Sequence, residues 1–361
     1  FQPNFRIAIM THQLGISTMS LGRAWVHELE PKLDQAAKYG YTGVEIFYED
    51  LVYHAKKYPG GETPENQIKA AEDIHSMCKA RNLSIINIQP FMHYEGLIDR
   101  QKHAERIEDL KLWFKLAHAL ETDMIAIPAS ILPESETTSD MSVIVADLQE
   151  AADLGAAQDP PLRFAYEALC WSTHCSTWEQ SWEVVSQVDR PNFGLCLDTF
   201  NIAGRIYADP TQASGKRPTA DADLATAIAA RLVRPDKLFF VQVVDAERLS
   251  SPLVKGHPFY DPEQPARMSW SRNCRLFYGE QDRGGYLPVR EILKAILHDL
   301  GYSGWLSFEL FNRSMADPSP ETPAEHARRG AESWEKMVAD LELNGHAADS
   351  AVSVGSSAVK A

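Results

Sequence analysis

The chain of 361 residues has 44% hydrophobic and 24% charged residues, which is typical of a soluble globular protein with a large core and excludes disordered and fibrous classes. Asp and Glu outnumber Lys and Arg by 50 to 35, and the net charge of −15 would repel nucleic acids and anionic membranes. The five cysteines form no C-x-x-C motif, and no apolar run reaches the length of a membrane span. We therefore expect a cytoplasmic protein with reduced thiols and no nucleic-acid or membrane partner, whereas self-association stays open.

Short apolar strands alternate with amphipathic helices along the whole chain. Most strands are continuously apolar, which is typical of parallel strands that are buried on both faces. The pattern predicts eight strands and eight helices, and hence a single-domain (β/α)₈ TIM barrel, with a doubly wound open sheet as the alternative. Strands are predicted within 6–20 and near 40–47, 83–89, 123–128, 162–167, 193–198, 238–244 and the end of 292–310; helices are predicted near 28–39, 65–81, 101–120, 139–157, 176–188, 220–231, 288–300 and 324–342.

One long interruption and one small, polar terminus complete the predicted organisation. Residues 246–287, after the seventh strand, are rich in Pro, Arg and aromatic residues. A loop of this length in a compact domain is usually a lid or a binding loop. We predict that 1–344 form the catalytic barrel domain and that 345–361 form a disordered tail.

Four polar side chains lie within or at the ends of the last four apolar strands. Glu167 ends "RFAYE", Asp198 ends "FGLCLD", Gln242 lies in "FFVQVV" and Glu309 lies in "WLSFEL". Each alone would be an ordinary cap or ion-pair partner, but in a barrel all four meet at the C-terminal mouth. Three carboxylates and a carboxamide oxygen suit Mg²⁺ or Mn²⁺, with Co²⁺ also acceptable, better than zinc. The sequence therefore predicts one divalent metal site.

Several long segments occur in a characteristic order: "YEALCWSTH", "LCLDTFNIAGRI", "VQVVDAERL", "SRNCRLFYGE" and "GYSGWLSFELFNR". Together they resemble the fungal 3-dehydroshikimate dehydratases of quinate catabolism, a branch of the sugar isomerase-like barrels. The resemblance extends from about residue 6 to residue 342. It implies a TIM barrel whose ligands to one divalent cation match Glu167, Asp198, Gln242 and Glu309, with Gln242 where related isomerases usually have His.

The resemblance also implies a reaction, in quinate and shikimate catabolism of aromatic compounds. A hydro-lyase of this family converts 3-dehydroshikimate to protocatechuate and water through a metal-stabilised enolate. Aromatisation of the ring drives the reaction, so no redox or nucleotide cofactor is expected. In agreement, no G-x-G-x-x-G motif follows a predicted strand.

Arginines are the candidates for binding the ring carboxylate of the substrate, because a guanidinium can hold a carboxylate by two parallel hydrogen bonds. Arg275, with Ser271 one helical turn before it, matches positions associated with substrate binding in the resembled family. Arg248 and Arg205, which follow the strands of Gln242 and Asp198, are further candidates, and ordinary ion pairs are an equal alternative. Asp245 could orient a ligand or an arginine, or simply form a salt bridge.

The general acid or base is predicted less sharply. Histidine suits proton transfer near neutral pH, and His174 and His93 both follow strand ends; His174 is preferred, and a structural role is an equal alternative. Tyr94 and His93 could orient substrate hydroxyls. Bacterial relatives have His where this sequence has Asn201, which cannot act as a base and is kept as a substrate-binding candidate. Glu309 could itself move protons.

Two further carboxylates and three other functions complete the predictions. Glu45 and Glu49, in "GVEIFYED", also follow or end a strand and could line the mouth, but charges in the first turn of a helix are the preferred interpretation. A sugar or hydroxypyruvate isomerase or epimerase would share the barrel and the metal but needs no arginine for a ring carboxylate. An abasic-site endonuclease would need a histidine-rich zinc cluster and a basic surface. A noncatalytic metal-binding barrel stays open.

Overall fold

The computed structural model describes residues 12–230 and 233–343. Within them, eight parallel strands form a closed barrel in sequence order, and the last strand pairs with the first, Gln13 opposite Trp305. Closure confirms the TIM barrel and excludes the open sheet. The strands are β1 (Gln13–Ser17), β2 (Gly43–Phe47), β3 (Ser84–Gln89), β4 (Met124–Pro128), β5 (Arg163–Glu167), β6 (Phe193–Asp198), β7 (Leu238–Val243) and β8 (Trp305–Phe308).

Helices connect the strands and cover the outside of the barrel. Each helix predicted from the sequence is present, and three short ones, α2, α7 and α9, were not predicted. Helix α10 continues as a π-helical turn over Ala295–Asp299. The helices are α1 (Leu29–Lys38), α2 (Tyr48–Ala55), α3 (Pro64–Ala80), α4 (Arg100–Ala119), α5 (Met141–Ala156), α6 (Trp178–Val188), α7 (Thr199–Ile206), α8 (Ala220–Ala230), α9 (Ala266–Cys274), α10 (Val289–Lys294) and α11 (Thr322–Asp340).

Short polar side chains fix where several helices begin. Thr177 accepts a hydrogen bond from the backbone N–H of Gln180, whose side chain accepts one in return from the backbone of Thr177. This capping box satisfies donors that the first turn of α6 would otherwise leave unpaired. Asp198 caps α7 in the same manner, by accepting hydrogen bonds from the N–H groups of Phe200 and Asn201. The end of β6 is thereby also the start of a helix.

The barrel base is the apolar interior at the N-terminal ends of the strands. Its close packing is clearest where β2 and β8 face each other: a Cβ added to Gly43 would lie 2.5 Å from Cζ3 of Trp305. Only glycine fits there unless the indole ring of Trp305 shifts. The barrel base consists of Ile86, Met124, Ala126, Ala165, Cys196 and Phe240, with Trp305 packed against them.

The long loop after β7 is ordered and is anchored at both ends. Asp245–Ala246 pairs antiparallel with Arg275–Leu276. The carboxylate of Asp245 accepts hydrogen bonds from the backbone N–H groups of Ala246, Tyr286 and Leu287 at 2.7, 3.1 and 2.9 Å. Asp245 therefore ties the loop together, and among the described residues it forms no ion pair with an arginine. The tail predicted at 345–361 lies outside the described residues.

Candidate active site

Three buried carboxylates meet at the C-terminal mouth of the barrel. Glu167 ends β5, Asp198 ends β6 and Glu309 follows β8, and one oxygen atom from each lies within 4.8 Å of the others. Burial, followed by the charges of Glu309 and Asp198, raises the pKa of Glu167 well above its usual range. Burial likewise raises the pKa of Glu309, to about 8. Three acids this close are an expensive arrangement that a cation would stabilise.

Asn201 joins two of these carboxylates. Its Nδ2 donates to Oε1 of Glu167 at 2.7 Å and to Oδ2 of Asp198 at 2.9 Å, while its Oδ1 accepts from the backbone N–H of Cys170 at 3.0 Å. All of its polar atoms are therefore engaged with the protein. The side chain of Asn201 therefore orients the acidic cluster, and its role as a substrate-binding residue stays a prediction.

Arg275 is buried beneath the mouth and contacts the same cluster. Its Nη1 donates to Oδ2 of Asp198 at 2.9 Å and to Oε2 of Glu309 at 2.8 Å. Its Nε donates to Oγ of Ser271 at 2.9 Å, and its guanidinium lies 4.4 Å from the ring centre of Phe200. Ser271 and the aromatic face thus fix the guanidinium, which supplies one positive charge to three acidic groups. Arg275 and Ser271 do meet at the site, as the sequence suggested.

Gln242 occupies the interior of the barrel below the mouth. It is fully buried, stands opposite Asp198 on β6 and opposite Ser307 on β8, and donates from Nε2 to Oε2 of Glu45 at 3.0 Å. Glu45 is also fully buried, in the middle of β2, so its interpretation as a helix-start charge is wrong. Glu49 does lie in the first turn of α2. A charge inside the apolar "GVEIF", the signal used for Gln242, could have identified Glu45.

A cavity of about 350 Å³ opens above the acidic cluster, between the strand ends and α9. Its wall contains Glu167, Glu309, Arg275 and Ser271, together with apolar and aromatic groups. Arg272, which the sequence interpretation missed, also faces the cavity; it lies in the last turn of α9, three residues before Arg275, which directly follows that helix. Other lining residues are Phe47, Glu49, Gln89, Met92, Leu169, Trp171 and Phe311.

The predicted histidines and Tyr94 do not line this cavity. His174 turns to the loop after β4, where its Nε2 is 3.1 Å from Oγ1 of Thr137. His93 is half-buried, and burial lowers its pKa. Tyr94 is fully buried, and its ring packs against Phe91. Side chains on loops can turn in several directions from similar backbone positions, so their closeness in sequence to the strand ends did not bring them to the site.

Two predicted arginines also lie elsewhere. Arg248 is exposed and lies beside Gly215 on the outer side of the loop. Arg205 is half-buried in the last turn of α7, where its backbone carbonyl accepts from Nη1 of Arg217 at 2.7 Å. Neither lines the cavity, so the structure does not support a substrate contact for either one.

The donor groups fit a hard divalent cation. Glu167, Asp198 and Glu309 supply carboxylate oxygens within 4.8 Å of one another, and all three are buried. Gln242 adds a carboxamide oxygen, whose hydrogen bond comes from Sγ of Cys196 at 3.6 Å, a weak donor. An all-oxygen set of this kind is typical of Mg²⁺, Mn²⁺ and related ions. The residues present could therefore hold one cation at the mouth.

A closed parallel barrel with its cavity and acidic cluster at the C-terminal mouth is the arrangement of TIM-barrel enzymes. The chain belongs to the xylose isomerase-like TIM barrel family, and residues 33–337 match the sequence profile of that family. None of the helices in the described residues combines the length and the apolar character needed to cross a membrane.

Two relatives and one solved structure illustrate the similarity. The chain is 56% identical over 343 residues to a 3-dehydroshikimate dehydratase of Neurospora crassa, a match that covers 92% of this chain and 96% of that protein. A protein of the same name from Pseudomonas putida is 30% identical over 321 residues, covering 88% of this chain and 41% of the longer bacterial protein. The structure of a xylose isomerase-like TIM barrel/4-hydroxyphenylpyruvate dioxygenase fusion protein superposes with a TM-score of 0.69, at 29% identity over 92% of this chain and 44% of that chain.

Proposed function

We propose that this protein is a metal-dependent 3-dehydroshikimate dehydratase, a hydro-lyase that forms protocatechuate and water. The observation that carries the proposal is the buried cluster of Glu167, Asp198 and Glu309 beside Arg275 at the cavity, in a chain 56% identical to an enzyme of that name. An acidic cluster suits a cation, and a guanidinium suits a substrate carboxylate. The cavity thus offers one group for each end of this substrate.

The charges of the cavity indicate how the substrate binds. Arg275 forms hydrogen bonds to the protein through Nε and Nη1, and Arg272 adds a second guanidinium at the same wall. We propose that these two arginines hold the ring carboxylate. Aromatic and apolar groups such as Trp171, Phe311 and Leu169 then enclose the ring and exclude water.

The reaction removes one proton from carbon 4 of the ring, next to the ketone, and releases the hydroxyl of carbon 5 as water. A proton shift from carbon 6 to the ketone oxygen completes the aromatic ring. A divalent cation held by Glu167, Asp198, Gln242 and Glu309 would supply a Lewis acid for the ketone. Among the proposed catalytic residues, Glu309 lines the cavity whereas His174 and His93 do not, so we assign proton transfer to Glu309.

The test is activity after removal and readdition of metal. Protein treated with a chelator and supplied with 3-dehydroshikimate should form no protocatechuate, as followed by its near-ultraviolet absorbance. Mg²⁺, Mn²⁺ or Co²⁺ should restore activity. Activity that is indifferent to chelation would refute the metal site. Failure of every metal to give product, combined with conversion of a ketose or hydroxypyruvate, would instead indicate the isomerase alternative.

A further inference from the structure

A carboxamide is an ambiguous metal ligand because its two ends have almost the same shape. The oxygen can bind a cation, whereas the NH₂ group cannot. We infer that Glu45 is a positioning residue that fixes the amide of Gln242 with its nitrogen away from the cation and its oxygen available as a ligand. The inference rests on the proposed cation site and goes beyond it, because it assigns a role to a residue outside the ligand set.

Glu45 accepts hydrogen bonds from four side chains in the barrel interior. Its Oε2 accepts from Nδ2 of Asn87 at 3.0 Å, Nε2 of Gln89 at 2.9 Å and Nε2 of Gln242 at 3.0 Å. Its Oε1 accepts from Oγ of Ser307 at 2.5 Å. A carboxylate has acceptors only, so every amide beside it must present its nitrogen. Gln242 can meet this requirement in just one of its two orientations.

Asn87 shows that Glu45 determines the orientation of the amides around it. While Nδ2 of Asn87 donates to Glu45, its Oδ1 is buried without a hydrogen-bond partner among the described residues. An unpaired buried carbonyl is costly. The orientation is retained despite this cost because a hydrogen bond to a buried carboxylate is stronger than one between neutral groups.

The oxygen of Gln242 is only weakly engaged by the protein, on a residue that neighbours the acidic cluster. Its hydrogen-bond donor is the thiol of Cys196 at 3.6 Å, which holds it weakly. Asp198, one of the three clustered carboxylates, stands directly opposite Gln242 in the register of β6 and β7. The nitrogen is thus held strongly and the oxygen weakly, which leaves the oxygen available for a cation.

Affinity for Mn²⁺ alone tests the role of Glu45 without reference to turnover. Chelator-treated protein is titrated with Mn²⁺, and free Mn²⁺ is measured by electron paramagnetic resonance. Glu45→Asp keeps the charge but withdraws the carboxylate by one methylene group, so we expect the dissociation constant to rise roughly 10- to 100-fold. Ser307→Ala removes a different hydrogen bond of Glu45 and should leave the affinity near that of wild type.

A double-mutant cycle separates positioning from the general effect of charge or stability. In a Gln242→Leu background no amide remains to be oriented, so Glu45→Asp should then change Mn²⁺ affinity by no more than about twofold. Equal losses in both backgrounds would overturn the inference. If Glu45→Asp does not fold, the isosteric Glu45→Gln takes its place in the same cycle, with the same two outcomes.

Failure of this inference and failure of the proposed function are distinguishable. If wild-type protein binds no Mn²⁺, the cation of the proposed function is refuted and the role of Glu45 with it. If wild type binds Mn²⁺ and the Glu45 variants bind it equally well, only the role of Glu45 is refuted.

Discussion

The two ends of the barrel are formed by the same eight strands but bury opposite kinds of side chain, apolar at the base and charged at the mouth. At the barrel base, Phe240 and its apolar neighbours fill the interior, and Gly43 leaves space for Trp305. At the mouth, three acidic groups are buried together around a single guanidinium. The first arrangement stabilises the fold. The second places like-charged carboxylates close together, which is unfavourable for folding but suits the binding of a ligand. Substitutions at the two ends should therefore separate stability from activity.

The largest effect is expected at the mouth, for Glu309→Gln. The amide oxygen can still accept the hydrogen bond from Arg275, so the fold should persist, but the side chain can no longer take up a proton. Turnover of 3-dehydroshikimate should fall about 10²- to 10⁴-fold, as measured by protocatechuate absorbance. Glu325→Gln, on the exposed surface of α11, is the matched control. Loss of less than tenfold would remove Glu309 from proton transfer.

The converse result is expected at the barrel base, for Phe240→Ala. This ring is fully buried, so its loss should lower the free energy of unfolding by about 3–5 kcal/mol. Turnover per folded molecule should stay close to that of wild type. Denaturant unfolding measures the free energy of unfolding. The rate of protocatechuate formation, divided by the concentration of active sites from a titration, measures the turnover per folded molecule. Phe239→Ala, at the partly buried neighbouring position, should lower the free energy of unfolding clearly less. An equal loss would contradict the distinction between the packed barrel interior and the partly buried residues beside it.

Acid should destabilise the rim of the mouth through His326. This ring is buried between the carbonyl of Ser20 and the hydroxyl of Ser314, and burial lowers its pKa from 6.5 to about 4. The unfolded chain therefore binds the proton more tightly than the folded protein does. Stability should fall as the pH decreases from 6.5 through 4, by roughly 3 kcal/mol in total.

The variant His326→Gln tests this pH dependence. Its unfolding free energy, measured by denaturant titration between pH 4 and pH 7.5, should depend less steeply on pH than that of wild type. Identical slopes in the two proteins would show that other groups cause the acid sensitivity.

The smallest effect is expected for Gly43→Ala at the barrel base. The added methyl group would press against Trp305, and overpacking of this kind costs about 1–3 kcal/mol of stability. Thermal unfolding measures the loss, and the Michaelis constant for 3-dehydroshikimate should not change. Ser84→Ala, at the exposed start of β3, is the control and should have little effect. A shift in substrate affinity would show that the two ends are coupled.

The sequence predicted the fold and the acidic cluster well because both depend on strand pattern. Continuous apolar runs identified the strands, and carboxylates at their ends must converge once parallel strands close into a barrel. Glu167, Asp198 and Glu309 could be identified without knowing how the loops fold, because all three lie at the ends of strands. The short helices α2, α7 and α9 were missed because little more than two turns give too little periodicity to detect.

The sequence did not predict which loop residues face the cavity. His174 and Asn201 both lie near strand ends. His174 turns to Thr137, whereas the polar atoms of Asn201 are all hydrogen-bonded to neighbouring groups of the protein. Their directions depend on tertiary contacts that sequence spacing does not reveal. Glu45 was misinterpreted for a different reason: its strand was assigned correctly, but a charge inside an apolar strand was treated as a helix terminus.

The two oxygens of Asp198 have separate functions, and this limits how the protein can be engineered. Oδ1 caps the start of α7 by accepting from the N–H of Phe200, whereas Oδ2 accepts from Asn201 and Arg275. Replacing this residue would cost ~1 kcal/mol from the helix start alone, before any change in chemistry. Gln242 caps no helix, so its replacement carries no such cost. A redesign for a different metal should therefore begin at Gln242 and retain Asp198.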